Sequence, residues 1–78
     1  MSPTVLRYKS YRFFFFSREE KRKHIHVISP EGEAKFWLEP VELAEKSGLS
    51  QRQLKELEKV IQEKKDEISR AWNKHFKS

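Results

Sequence analysis

Residues Lys23–Leu38, KHIHVISPEGEAKFWL, hold two strand-like runs joined by a turn. The first run is His24 to Ile28; the second contains Ala34, Phe36, Trp37 and Leu38. Between them Ser29-Pro30-Glu31-Gly32 has the composition of a type I turn, with Pro second and Gly fourth. Closing the chain there sets a register. Ile28 opposes Glu33, Val27 opposes Ala34, His26 opposes Lys35, Ile25 opposes Phe36 and His24 opposes Trp37. Directly opposed residues share a face of a sheet. Ile25, Val27, Ala34, Phe36 and Leu38 then fall on one apolar face, and His24, His26, Lys35 and Trp37 on the other. The two runs are patterned independently and agree, which predicts a β-hairpin around which the rest of the chain packs.

On the N-terminal side, Tyr11 to Phe16 is a run of aromatics interrupted only by Arg12, with high strand propensity and no breaker. Strand alternation points Phe13 and Phe15 one way, Phe14 and Phe16 the other. Residues 3–17 read as one long strand or as a hairpin turning near Lys9-Ser10, and the hairpin would place Leu6 opposite Phe13 and Arg7 opposite Arg12. The following SREEKRK, residues 17–23, reads as a charged, solvated connection, with a phosphate-clasping loop as the alternative.

On the C-terminal side, Glu39-Pro40 predicts the start of a short helix over about 40–47, with Val41 and Ala44 on its buried side and Gly48 ending it. Ser50 and Gln53 have capping-box spacing, and Leu49 and Leu54 that of a hydrophobic staple. Leu54, Leu57, Ile61, Ile68, Trp72 and Phe76 follow helical spacing and predict a long helix over 51–76. Such a helix would run roughly 35–40 Å, longer than a small sheet is wide. Lys64 interrupts its apolar stripe near the middle. The expected architecture is α+β, one domain over residues 1–78. A three- or four-stranded antiparallel meander within 4–38 is followed by a short and a long helix packed on one face, as a monomer or a homodimer through the long helix.

Composition narrows the function. The 78 residues include no Cys, so neither a disulfide nor a thiolate metal site is possible. No apolar run approaches the roughly 20 residues of a membrane span. MSPTVLRYKS at the start is not an apolar signal segment. A cytoplasmic protein without a membrane partner is expected. The formal charge of +5 suits an anionic partner such as nucleic acid or an acidic protein, although 12 acidic residues interspersed among 17 basic ones also describe a plain soluble surface.

Three chemistries compete for the polar face of the hairpin. His24 and His26, alternate on a strand, could chelate a metal if Glu31, Glu33, Glu39 or His75 supplied a third ligand. One of the two imidazoles could serve as a general acid or base beside Lys35, with Arg7 and Arg12 holding phosphate, as in metal-independent ribonucleases. No nucleophile accompanies them, so no catalytic constellation is identified and the enzyme question stays open. The third reading is binding alone. Phe14, Phe16, His24, His26 and Trp37 would stack on bases while Arg7, Arg12 and Lys35 meet phosphates; the same residues would also serve a protein interface. Against all three stands a bland alternative, in which the helices cover this face and the histidines are merely buried and hydrogen-bonded. No cofactor is implied. Trp72 and Phe76 read as core and His75 as a helix-end cation.

The tracts TVLRYKSYRFFFFS, HIHV, EGEAKFWLEPVELAEKSGLS and RQLKELEKVIQEKKDEISRAWNKHF together resemble the bacterial "domain of unknown function 4160" family over nearly the whole chain. The most specific parts are the H-x-H at His24 and His26, the strand Gly32–Leu38, and Trp72, Asn73 and Phe76 near the end. Two prolines often precede the H-x-H in that family; Arg22 and Lys23 stand there in this chain. The resemblance implies a small stand-alone protein of the toxin–antitoxin type, with a cognate small protein as partner and RNA as a possible target. It supplies no catalytic residues.

Overall fold

The structure, a computed structural model, describes residues 4–15 and 22–76. Strands β1 (Thr4–Tyr8), β2 (Tyr11–Phe14), β3 (His24–Ser29), β4 (Gly32–Leu38) and β5 (Val41–Ser47) are followed by helices α1 (Gln51–Glu63) and α2 (Lys65–His75). The strands form one antiparallel sheet in chain order. Phe16 and the charged connection 17–21 lie outside the described residues.

The β3–β4 hairpin forms in the expected register, and of the two readings of the N-terminal stretch the hairpin is found, in the register given for it. In β3–β4 the pairs run from Ser29–Gly32 to His24–Trp37, including Ile25–Phe36 and His26–Lys35. In β1–β2, Leu6 opposes Phe13 and Arg7 opposes Arg12. Lys9-Ser10 is a poor turn pair, and Lys9 turns the chain at a φ of 53° that non-glycine residues seldom adopt.

Two expectations are corrected. Residues 41–47 are not a short helix but the fifth strand, so the sheet has five strands rather than three or four. Glu39-Pro40, joined by a cis peptide, is the tight link between β4 and β5. The apolar residues beyond it work at strand spacing, with Val41 opposite Leu38 and Leu43 opposite Phe36. Ala44 falls in the register shift between the Phe36–Leu43 and Lys35–Glu45 pairs. Its helical offset from Val41 therefore comes from a bulge. The run VELAEKS has good helix formers, but pairing with β4 overrides that preference.

The long helix is two helices meeting at Lys64, whose backbone (φ −106°, ψ 14°) leaves the α-helical region. The break lies where Lys64 interrupts the apolar stripe. It lets both halves reach one core: Leu57 and Ile61 from α1 and Ile68 from α2 are fully buried in the same cluster. α1 begins as its sequence indicates, with the Ser50–Gln53 capping box closed in both directions. No helix among the described residues is long and apolar enough to cross a membrane.

The helices pack on the apolar side of the sheet. Phe13, Ile25, Val27, Ala34, Phe36 and Leu38 meet Leu54, Leu57, Val60, Ile61, Ile68 and Trp72. Burying each large side chain in such a layer contributes about 1.5–3 kcal/mol.

A polar clasp fastens the β1–β2 turn to α1: the Tyr8 hydroxyl donates to Glu56 Oε2 at 2.6 Å, and Lys9 Nζ donates to the same oxygen. Hydrogen bonds from Lys9 and Tyr8 hold the Glu56 carboxyl below its ordinary range. Hydrogen bonding to Glu56 raises both Tyr8 and Lys9. The signs give two arms. The depressed Glu56 contributes stability that is present above its unfolded-state pKa and lost as pH falls through its lower folded value. Tyr8 and Lys9 contribute stability that is present below their unfolded-state pKa values and lost as pH rises through the higher folded ones. Glu56→Gln is expected to flatten the acid arm of a stability–pH profile below the ordinary carboxylate pKa of 4.5. Urea midpoints measured across that range check it; an acid arm of unchanged slope would show the clasp to be energetically silent.

Candidate functional site on the helix-free sheet face

Alternation leaves the opposite face of the sheet to polar and aromatic side chains, which the pairing arranges in three rows. Arg7, Arg12, Ile28, Glu33 and Ser47 form the first, and Thr4, Phe14, His26, Lys35 and Glu45 the second. His24, Trp37 and Glu42 form the third. Among the buried apolar side chains of the described residues, Phe14 alone lies outside the core cluster, which places it on this face.

The Phe14 and Trp37 rings are each met by a cation. The Arg12 guanidinium lies 4.8 Å from the Phe14 ring centroid, and Phe14 stacks on His26 at 5.6 Å with an interplanar angle of 26°. Arg22 and Lys35 both approach the Trp37 indole, at 4.3 and 4.6 Å. Contacts of this kind are worth about 0.5–1 kcal/mol each at exposed sites and more when desolvated. Arg12 Nε also donates to Thr4 Oγ1 at 2.6 Å, tying β1 to the same row.

The seven residues read from the sequence share this face but differ in access. Arg7 is exposed, whereas Arg12, His26 and Trp37 are half-buried. Phe14, His24 and Lys35 are buried at 7%, 3% and 8% exposure. His24 opens β3, at the end of the sheet that α2 reaches, and its ring lies 5.0 Å from that of Trp72. It therefore joins the helix layer to the polar face. His24 Nδ1 is 2.9 Å from the Arg22 carbonyl oxygen. Since a carbonyl can only accept, Nδ1–H donates and the neutral ring carries its lone pair on Nε2. The His24 and His26 rings meet edge to face at 5.0 Å. Among the described residues no three His, Asp or Glu side chains converge as a metal site.

Three residues of the face were not singled out from the sequence. Arg22 covers Trp37 and lies 3.8 Å from Glu42. Glu42 and Glu45 reach the face only because residues 41–47 form a strand; a helix there hides their register with Trp37 and Lys35. Beside His26 and Lys35, the β5 residues Glu45, Lys46 and Ser47 bound a recess of about 190 Å³. The charge is thus uneven: among the described residues β1 and β2 contribute Arg7 and Arg12 and no carboxylate, whereas Glu33, Glu42 and Glu45 lie among Arg22 and Lys35 on the β4–β5 side.

No curated protein and no solved structure shows a significant match to this chain. A family model does match, from Ser10 at the first turn to Asn73 near the end of α2, and takes in every site residue except Arg7. The chain belongs to the family described as Domain of unknown function (DUF4160), matched over residues 10–73.

Proposed function

We propose that the helix-free face binds single-stranded RNA. The observation that carries this reading is the pair of half-buried aromatic surfaces His26 and Trp37, His26 stacked on the buried Phe14 and Trp37 met by Arg22. Single-strand binding requires planar groups for the bases and positive charge for the phosphates on one surface. The division of charge orients the strand: phosphates track the Arg7–Arg12 side, and bases lie across β3 and β4 toward the carboxylates of β5. The span from β2 to β4 is roughly 10 Å, two strand spacings. Binding is favoured over cleavage because His24 and Lys35, two of the three acid–base candidates, are buried, His24 against Trp72.

The test is a fluorescence-anisotropy titration with a single-stranded oligoribonucleotide across a salt series. Affinity is expected to fall steeply with salt. Replacing Arg7 and Arg12 by Gln should weaken binding and shallow the log–log slope by about 0.7 for each phosphate contact removed. Salt-insensitive or undetectable binding would overturn the proposal and favour a protein interface on this face. Shortened RNA recovered after incubation would point instead to the ribonuclease reading.

A further inference from the structure

The cluster of Trp37, Arg22 and Glu42 carries a more specific reading, which rests on the RNA-binding proposal. Trp37 and Glu42 are directly opposed on β4 and β5. Opposed side chains in an antiparallel pair are close neighbours on one face, so Glu42 is a same-face neighbour of the indole. The Arg22 guanidinium lies over the indole at 4.3 Å and meets Glu42 at 3.8 Å, with the Arg22 and Glu42 side chains 50% and 64% exposed. The three groups supply a stacking plane, a second plane that can slide over or aside, and a two-oxygen acceptor beside them. The long Arg22–Glu42 contact between exposed side chains is weak and readily exchanged.

We infer that this cluster is a guanine-reading subsite. The base stacks on the Trp37 indole, and the Arg22 guanidinium covers it or yields its place to it. Glu42 accepts two parallel hydrogen bonds from guanine N1–H and the 2-amino group. Guanine presents adjacent donors on its Watson–Crick edge that an ionised carboxylate matches in bidentate fashion. Adenine, cytosine and uracil each present an acceptor where Glu42 requires a donor, and would set a lone pair against the carboxylate. Lys35, on the second row and 4.6 Å from the same indole, adds positive potential beside the stacked base.

The test compares single-stranded oligoribonucleotides of equal length that alternate uridine with guanosine, inosine or adenosine. Intrinsic fluorescence is read alongside anisotropy, since Trp37 is half-buried and Trp72 only 6% exposed. The guanosine strand should bind about tenfold or more tightly than the adenosine strand, and inosine, lacking the 2-amino group, should fall between. Glu42→Gln should abolish the preference, weakening the guanosine strand and, with no carboxylate set against the adenine lone pair, tightening the adenosine strand. Glu42 is exposed and on the surface strand, so the variant should keep its fold, which circular dichroism verifies. Equal affinity for all three strands, or a guanosine preference that survives Glu42→Gln, would overturn the subsite and leave RNA binding standing. Binding to none of them at any salt would overturn both.

Discussion

Phe13→Ala is expected to cost about 3–5 kcal/mol of stability, and its neighbour Phe14→Ala about 1–2 kcal/mol. The two phenylalanines are adjacent in sequence, and both are buried. Alternation sends Phe13 into the layer beneath α1 and α2, where it has no exposure and opposes Val27 across the β2–β3 pair. Its removal would leave a cavity among side chains already held on all sides. Phe14 stands on the other face against Arg12 and His26, where flexible polar neighbours can close over the gap. Small domains have about 5–15 kcal/mol in total, so Phe13→Ala should remove a large share of it and lower the thermal midpoint by at least about 12 °C. Phe14→Ala should instead weaken RNA binding. Thermal and urea unfolding of the two variants check the contrast; equal losses would mean that the faces are not divided as described.

Gly32→Ala is expected to cost about 3 kcal/mol or more, for a reason unrelated to backbone freedom. A β-carbon on Gly32 would lie 2.2 Å from the Ser47 carbonyl oxygen and 2.8 Å from the Gly48 carbonyl carbon. Both obstacles are backbone, so the β3–β4 turn and the β5–α1 junction would have to part. That separation would strain the Glu33–Ser47 pairing and the Gln53–Glu31 hydrogen bond that links the turn to the start of α1. Gly48 forms the other half of the contact and combines it with a φ of 82°. Gly48→Ala therefore adds a left-handed residue to a close approach, and about 1–2 kcal/mol belongs to that conformation alone. Urea midpoints for Gly32→Ala and Gly48→Ala measure both costs; a near-neutral Gly32→Ala would show that this junction is looser than the backbone contact implies.

β3 and β4 were legible because two kinds of local information coincide there. Turn chemistry at Ser29–Gly32 and alternation on both flanking runs specify one register, and every β3–β4 pair follows it. β5 was illegible for a definite reason. An edge strand buries little, so of its seven residues only Val41 is buried, and the bulge at Ala44 mimics helical spacing. The break at Lys64 was visible as a gap in the stripe, but whether a helix bends there depends on the size of the sheet beneath it. At the site, strand parity put His24, His26, Lys35 and Trp37 on one face. Access to His24 could not be read the same way, because Trp72, which covers it, arrives from the far end of the chain. The Arg22–Trp37–Glu42 cluster needed β5 to be a strand before its register could exist.

The division of the sheet into a structural and a binding face is tested most directly by a ¹H–¹⁵N NMR titration of the folded protein with single-stranded RNA. Chemical-shift changes should concentrate at Arg12, Phe14, His26, Lys35 and the Trp37 indole N–H, with the α1 amides from Leu54 to Ile61 unmoved. Changes centred on α1 or α2, with the β2–β4 face silent, would contradict it.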